Sequence, residues 1–185
     1  MSTENTNKRS RPKLSTGTGD TGTTGLFHGG RVSKTDPQIV ATGDCDELSA
    51  ALGLAKAHAT DPDLVKVLTE IQHDLITIMG DISLNRYAEN TRPFGLREAR
   101  IEWLEELGLR VENCLEQQTD WELAGENPTE AALQMARTIC RRAERSALSV
   151  PEPHRASQEA LLYLNRLSDT LMLLGRDASG KRKKA

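Results

Sequence analysis

Apolar residues recur at helical spacing along most of the chain, starting with Leu48, Leu52 and Ala55, which share one face at 3.6 residues per turn. Asp44, with Glu47 three residues later, has the form of a capping box, so a first helix is expected from Asp44 to about Ala59. Asp61-Pro62 is a second start signal: a capping side chain precedes a proline whose missing N–H is harmless in the first turn. Leu64, Leu68, Ile71, Leu75, Ile78 and Ile82 continue that stripe, and this helix is expected to reach about Tyr87. After a break at Arg92-Pro93-Phe94-Gly95, Ile101, Leu104, Val111 and Leu115 mark a third helix, ending in the polar stretch Gln117 to Asp120. Asn127, Pro128 and Glu130 open a fourth, with Leu133, Ala136, Cys140, Ala143 and Ala147 on its apolar face and a break at Pro151 and Pro153. A fifth spans about Ala156 to Arg176. There Leu161, Leu164, Leu167, Leu171 and Leu174 form one stripe while Leu162 and Leu173 lie nearly opposite, which implies the bundle centre or an interface between copies.

Composition agrees with this pattern. Aromatic residues are 3% and hydrophobic residues 37% of the 185, with Leu and Ala dominant, which favours helix packed on helix. The expected fold is an all-α five-helix bundle forming one domain over residues 14–176, with a disordered tail at 1–13 and a basic flexible tail at 177–185. Residues 14–43 are expected to be a Gly- and Thr-rich leader without helical period. A net charge of −3 argues against a nucleic-acid binder, and KRKK at Lys181 to Lys184 is too short to reverse that. The start lacks an apolar signal region and no stretch is long and apolar enough to span a bilayer, so a cytoplasmic protein is expected. Cys45, Cys114 and Cys140 are too few and too scattered for a disulfide framework, and His28, His58, His73 and His154 lack metal-ligand spacing.

The chemistry sits in two segments. With Leu133 at zero on a helical wheel, Arg137 falls at about 40°, Arg141 at about 80°, Glu144 at about 20° and Arg145 at about 120°. These four flank the core face, whereas Arg142, at about 180°, is expected to face solvent or serve another contact. An intrahelical salt-bridge ladder is the plain alternative, since Arg141 and Glu144 are three apart. TGTGDTGTTG, Thr16 to Gly25, followed by Lys34, has the parts of a phosphate cradle: glycines permitting positive φ, hydroxyls and one lysine. It lacks the closing Gly-Lys-Ser/Thr of a Walker loop, and by composition alone it could be a flexible linker.

TGTGDTGTTG and RVSK, then GDCDEL with SAALGLA, ARTICRRAER and YLNRLSDTLMLLGR together resemble the PduO-type ATP:cob(I)alamin adenosyltransferases over residues 16–176. The resemblance implies a trimer of five-helix bundles with active sites between neighbouring subunits. It implies transfer of the 5′-deoxyadenosyl group of ATP to the cobalt of cob(I)alamin, giving adenosylcobalamin and triphosphate. By position, Thr16, Gly17, Thr18, Gly19, Thr24, Gly25 and Lys34 resemble the N-terminal ATP-binding segment, and Arg141, Arg142, Ala143, Glu144, Arg145 and Asn165 the rest of that site. Asp46 and Arg137 resemble an intersubunit acid–arginine pair. Trp121, where the family commonly has Phe, resembles the aromatic that fills the space left by the cobalt's lower axial ligand. Mg²⁺ is expected with ATP as a counter-ion, and a reductase and an adenosylcobalamin-dependent acceptor enzyme are expected partners.

Reduced cobalt is itself a strong nucleophile, so the lack of an evident general base suits this reaction. The chain departs from the family pattern at Leu123-Ala124-Gly125-Glu126 (usually LPGG), at Gln134 (frequently His) and at Thr21 (usually Lys). The Leu123–Glu126 departure keeps open a corrinoid- or nucleotide-binding carrier without turnover, and a charged stripe that only makes salt bridges would be a purely structural helical scaffold.

Overall fold

The computed structural model describes residues 16–89 and 95–183. The expected 1–13 tail, the Arg92-Pro93-Phe94 part of the second break and Lys184 lie outside them. Five helices carry the fold: α1 (Pro37–His58), α2 (Pro62–Ile82), α3 (Glu98–Cys114), α4 (Pro128–Ser149) and α5 (Gln158–Ala178). α1 packs on α2 and α4, α4 on α5, and α5 on α3. A small antiparallel hairpin, β1 (Thr23–Gly25) with β2 (Arg31–Ser33), precedes them, pairing Thr24 with Val32.

The first helix corrects the expected boundary. It starts at Pro37, with Asp36 as N-cap accepting from the Gln38 N–H at 2.9 Å, so the leader ends at Asp36 and not at residue 43. Asp36-Pro37 is the same signal as Asp61-Pro62, which caps α2 through Asp63 N at 2.9 Å. Asp44 caps nothing and instead faces α4, where Ser146 donates to it. α2 ends at Ile82, short of Tyr87. The Ser83 hydroxyl turns back to the Met79 carbonyl at 2.7 Å, and Leu84 leaves the helix to form a parallel bridge with Phe27.

Leu48, Leu52, Leu68, Ile71, Leu75, Ile78, Leu133, Leu164 and Leu171 are fully buried and form the centre of one core. Each such side chain contributes about 1.5–3 kcal/mol over its exposed state. α5 is buried on several sides between α3 and α4, although Leu162 stays partly exposed and Leu173 half-buried. A buried polar junction ties α2 to α3 and α5: Arg100 donates to both Asp74 oxygens at 2.8 Å, and Tyr163 donates to Asp74 at 2.6 Å. Burial and the neighbouring Asp74 carboxylate push the Tyr163 hydroxyl well above its ordinary value. Among the described residues no helix is long and apolar enough to cross a membrane.

Residues 177–183, expected as a flexible tail, carry contacts of their own. Arg182 pairs with Asp177 and bridges to Leu115, while the Lys183 N–H donates to the Cys114 carbonyl at 2.9 Å.

Candidate functional site

The leader folds around its hairpin. Gly17 and Gly22 take positive φ, at 70° and 81°, where a side chain would be strained. Successive turns close from Asp20 N to Gly17 O and from Gly22 N to Gly19 O. The end of Lys34 lies over Gly19, so that a Cβ there would sit 3.2 Å from Nζ and the lysine would have to shift by a few tenths of an ångström. The Thr16 and Thr18 hydroxyls are 2.9 Å apart on the exposed rim. Thr24 pairs in the hairpin and Gly25 closes its first strand.

Sequence reasoning passed over the residues that hold this leader. Arg31 donates to the Thr18 carbonyl at 2.6 Å, the Thr23 carbonyl at 3.0 Å and the Thr23 hydroxyl at 2.9 Å, stapling the glycine loop to the hairpin. Gln38, buried in the first turn of α1, donates to the carbonyls of Ile82 at 2.9 Å and Leu84 at 3.2 Å. Phe27 N–H donates to Ser83 O, and Asn85 donates through Nδ2 to Gly29 O at 3.1 Å. The leader is thereby fixed to the end of α2. The RVSK motif pointed to Lys34, but a three-residue strand has no period to expose Arg31.

On α4 the core face centres on Ala136, Cys140, Ala143 and Ala147, so the arginine stripe is turned further outward than a wheel set on Leu133 implies. Arg141 and Arg145 are exposed, and among the described residues no ion pair engages either. The Arg141–Glu144 ladder does not form: Glu144 accepts from Asn165 Nδ2 at 2.9 Å, joining α4 to α5. Arg142, expected to face solvent or another contact, reaches Glu47 and lies 3.5 Å from Asp44 on α1. Its guanidinium is therefore occupied within the chain, and Ala143 beside it is wholly buried. Arg137 donates to Gln134 at 2.8 Å, and Gln134 packs against Gly175, where a Cβ would meet Nε2 at 2.9 Å.

Asp44 against Ser146 and Glu47 against Arg142 make α1 and α4 antiparallel. The leader and the arginine-bearing half of α4 thus lie toward the same end of the bundle. Asp46 is exposed on α1, and this register leaves it about 9 Å along the axis from the level of Arg137. The expected acid–arginine pair is not an intrachain contact.

Trp121 lies in the segment before α4, toward the opposite end, and its ring is 99% exposed, with Leu123 at 86%. It borders a cleft of about 370 Å³ with Met172 of α5, adjoining one of about 650 Å³ lined by Leu115, Asp169, Leu173 and Arg176. The departure at Leu123–Glu126 has its own support, since buried Glu130 accepts from Gly125 N at 2.7 Å and Glu126 N at 3.1 Å. Glu122 is held by Arg176 and Lys181; burial opposes its ionisation, yet these two cations keep its carboxyl below the usual range.

The thiols are all free: Cys45 and Cys140 are buried where α1 meets α4, and Cys114 is exposed. Burial, then Asp44, raises Cys45 to about 12. Of the histidines, His28, His58 and His73 are exposed and His154 half-buried against Tyr87.

Comparison with known proteins gives this arrangement a family. A corrinoid adenosyltransferase of Mycobacterium leprae is 39% identical over 174 residues, covering 90% of this chain and 91% of its own. One from Mycobacterium tuberculosis is 40% identical over 172 residues, covering 90% and 89%. A variant PduO-type ATP:corrinoid adenosyltransferase from Lactobacillus reuteri, complexed with cobalamin and ATP, superposes with a TM-score of 0.85 at 30% identity, over 91% of each chain. Another variant from that organism, complexed with ATP, gives 0.82 at 29% identity over 89% and 93%. The family description "Cobalamin adenosyltransferase" matches residues 14–178, and the chain belongs to that family.

Proposed function

We propose that the glycine leader with Lys34, and Arg141 and Arg145 of α4, bind the triphosphate of ATP while the cleft beside Trp121 receives cob(I)alamin. The carrying observation is that Lys34, Arg141 and Arg145 are exposed cations which no described ion pair engages, two of them on a helix whose Arg142 is already neutralised. The activity is that of the family: the cobalt electron pair attacks C5′ of ATP, a Co–C bond forms, and the C5′–O bond breaks. The electron pair leaves with the triphosphate. No proton need move at the nucleophile, so the protein's task is in-line positioning and stabilisation of charge on the departing oxygen. Guanidinium suits this because it stays charged and grips phosphate with two donors.

Asn165 supports the site indirectly, by holding Glu144 on the flank of α4 beside the arginines. Thr16, Gly17, Thr18 and Gly19 supply the loop that approaches the phosphates, with Thr24 and Gly25 shaping its hairpin, and Mg²⁺ accompanies ATP as counter-ion. Arg142 and Ala143, on the same run of α4, contribute by holding that helix on α1, Arg142 through Glu47 and Asp44 and Ala143 by its burial. Trp121 stands against the lower face of the corrinoid in place of its axial base, an apolar flat surface in a water-poor contact.

The leader and Trp121 lie toward opposite ends of one bundle. A site assembled from the leader of one copy and α4 with the Trp121 segment of the next, in a trimer, brings them together, and Asp46 then meets Arg137 of a neighbour. A reductase supplies cob(I)alamin, an adenosylcobalamin-dependent enzyme accepts the product, and the cytoplasm is the compartment. Mixing tests this reading. Lys34→Ala and Arg141→Ala proteins, each inactive with ATP and chemically reduced cobalamin, recover part of the activity when their subunits are exchanged; no recovery rules out the shared site.

A further inference from the structure

We propose that Arg176 is a positioning residue for the Trp121 segment, fixing both of its ends and thereby setting where the indole stands beneath the corrinoid. The inference deepens the reading of Trp121 given above and rests on it. Arg176 closes the run YLNRLSDTLMLLGR on the last turns of α5, and nothing in the transfer reaction itself calls for a cation there. Its side chain is nonetheless buried, 7% exposed as a residue, and two of its three nitrogens donate hydrogen bonds. Nε donates to Glu122 Oε2 at 3.0 Å, and Nη2 donates to the Glu116 carbonyl at 3.0 Å.

Those acceptors bracket the segment. Lys181 adds a second cation, 3.4 Å from Glu122 Oε1, and its own carbonyl accepts from Glu116 N–H at 3.1 Å. Between the anchors, Gln117 to Trp121 are exposed, and their side-chain hydrogen bonds are local: Gln118 Nε2 donates to the Asp120 carbonyl at 3.1 Å and the Thr119 hydroxyl to Asp120 at 3.4 Å. Almost nothing packs on the indole, which is 99% exposed. Its location is therefore set by the two ends of its segment and not by the core. Ordering those ends in advance removes conformational freedom that corrinoid binding would otherwise have to remove.

The test uses the full-length enzyme with Trp103 changed to Phe, leaving Trp121 as the sole tryptophan, excited selectively over the two tyrosines, and the substitutions Glu122→Gln and Arg176→Lys. Glu122 lies at the surface end of the clamp, so Glu122→Gln tests the contact if Arg176→Lys fails to fold. Three readouts are taken: Trp121 fluorescence anisotropy, KM for corrinoid and for ATP separately, and the electron-spin signal reporting loss of the axial base from cob(II)alamin in the presence of ATP. The clamp predicts lower anisotropy, about a tenfold rise in corrinoid KM or an equal loss of the base-off signal, and unchanged ATP KM. Glu122→Asp restores part of each. Wild-type anisotropy and corrinoid kinetics in Glu122→Gln overturn the proposal, as does a parallel loss of ATP and corrinoid binding. If Trp121→Ala leaves the base-off signal intact, it is the role of Trp121 that fails, while anisotropy still decides whether Arg176 holds the segment.

Discussion

Arg31 donates to the carbonyl oxygen of Thr18 at 2.6 Å, across thirteen residues of chain, and through it the flexible-looking TGTG turn acquires a fixed geometry. The same guanidinium also binds Thr23, so one side chain joins the loop to the hairpin. Arg31→Ala is expected to raise the KM for ATP roughly tenfold, the effect of losing one or two charge-assisted contacts. Because Arg31 is exposed, the melting temperature should hardly change; steady-state kinetics beside thermal melting check both halves.

Adjacent arginines on α4 should separate by function. Arg141→Ala is expected to lower kcat about a hundredfold or more, as loss of a charge stabiliser does, with the melting curve unchanged. Arg142→Ala should instead lower the melting temperature, because Glu47 and Asp44 lose their partner, and leave ATP affinity near wild type. Isothermal titration of ATP into both variants distinguishes them.

Gly43 tests the corrected start of α1. It lies inside the helix, exposed, and a Cβ there meets nothing within 4 Å. Gly43→Ala should therefore stabilise the fold by about 0.5–1 kcal/mol in urea denaturation, through lower chain entropy in the unfolded state. A destabilisation would mean that residues 37–43 are not helical.

Stability should fall on the alkaline side. Cys45 is raised from its ordinary 9.0 to about 12, by burial first and then by Asp44, so the folded state keeps a proton that the unfolded state releases. Its contribution is complete below about pH 9 and is lost as pH climbs towards 12. Cys45→Ala should flatten that limb by up to about 1.4 kcal/mol per pH unit. Denaturation midpoints at pH 8, 9 and 10 measure the slope.

Where the apolar stripe is long, sequence and structure agree: α3 and α4 run close to their expected spans, and α5 differs by about two residues at each end. The miss at α1 has a physical cause. Its first turns carry few large apolar residues, with Val40 exposed and Gly43 bare, so the periodic signal began only at Leu48, although Asp36-Pro37 marked the start chemically. At the end of α2 the stripe continued in sequence while the chain turned away to pair with Phe27. Lys34, Arg141 and Arg145 were legible as candidates from residue type and motif, and Trp121 from the family resemblance, but which side chains stay exposed and unengaged by an ion pair was not.

Hydrophobic spacing and capping chemistry, both local in sequence, determined that this protein is a bundle of five helices behind a glycine leader. Local signals also marked the segments that carry its cations. Only tertiary structure decided which of those cations remain available: Arg142 is taken by α1, ninety-five residues away, and Arg176 by Glu122, fifty-four away. Pairings of that range depend on helix register and burial, which no local pattern encodes, and they separate the charges that hold the fold from those left to meet a ligand.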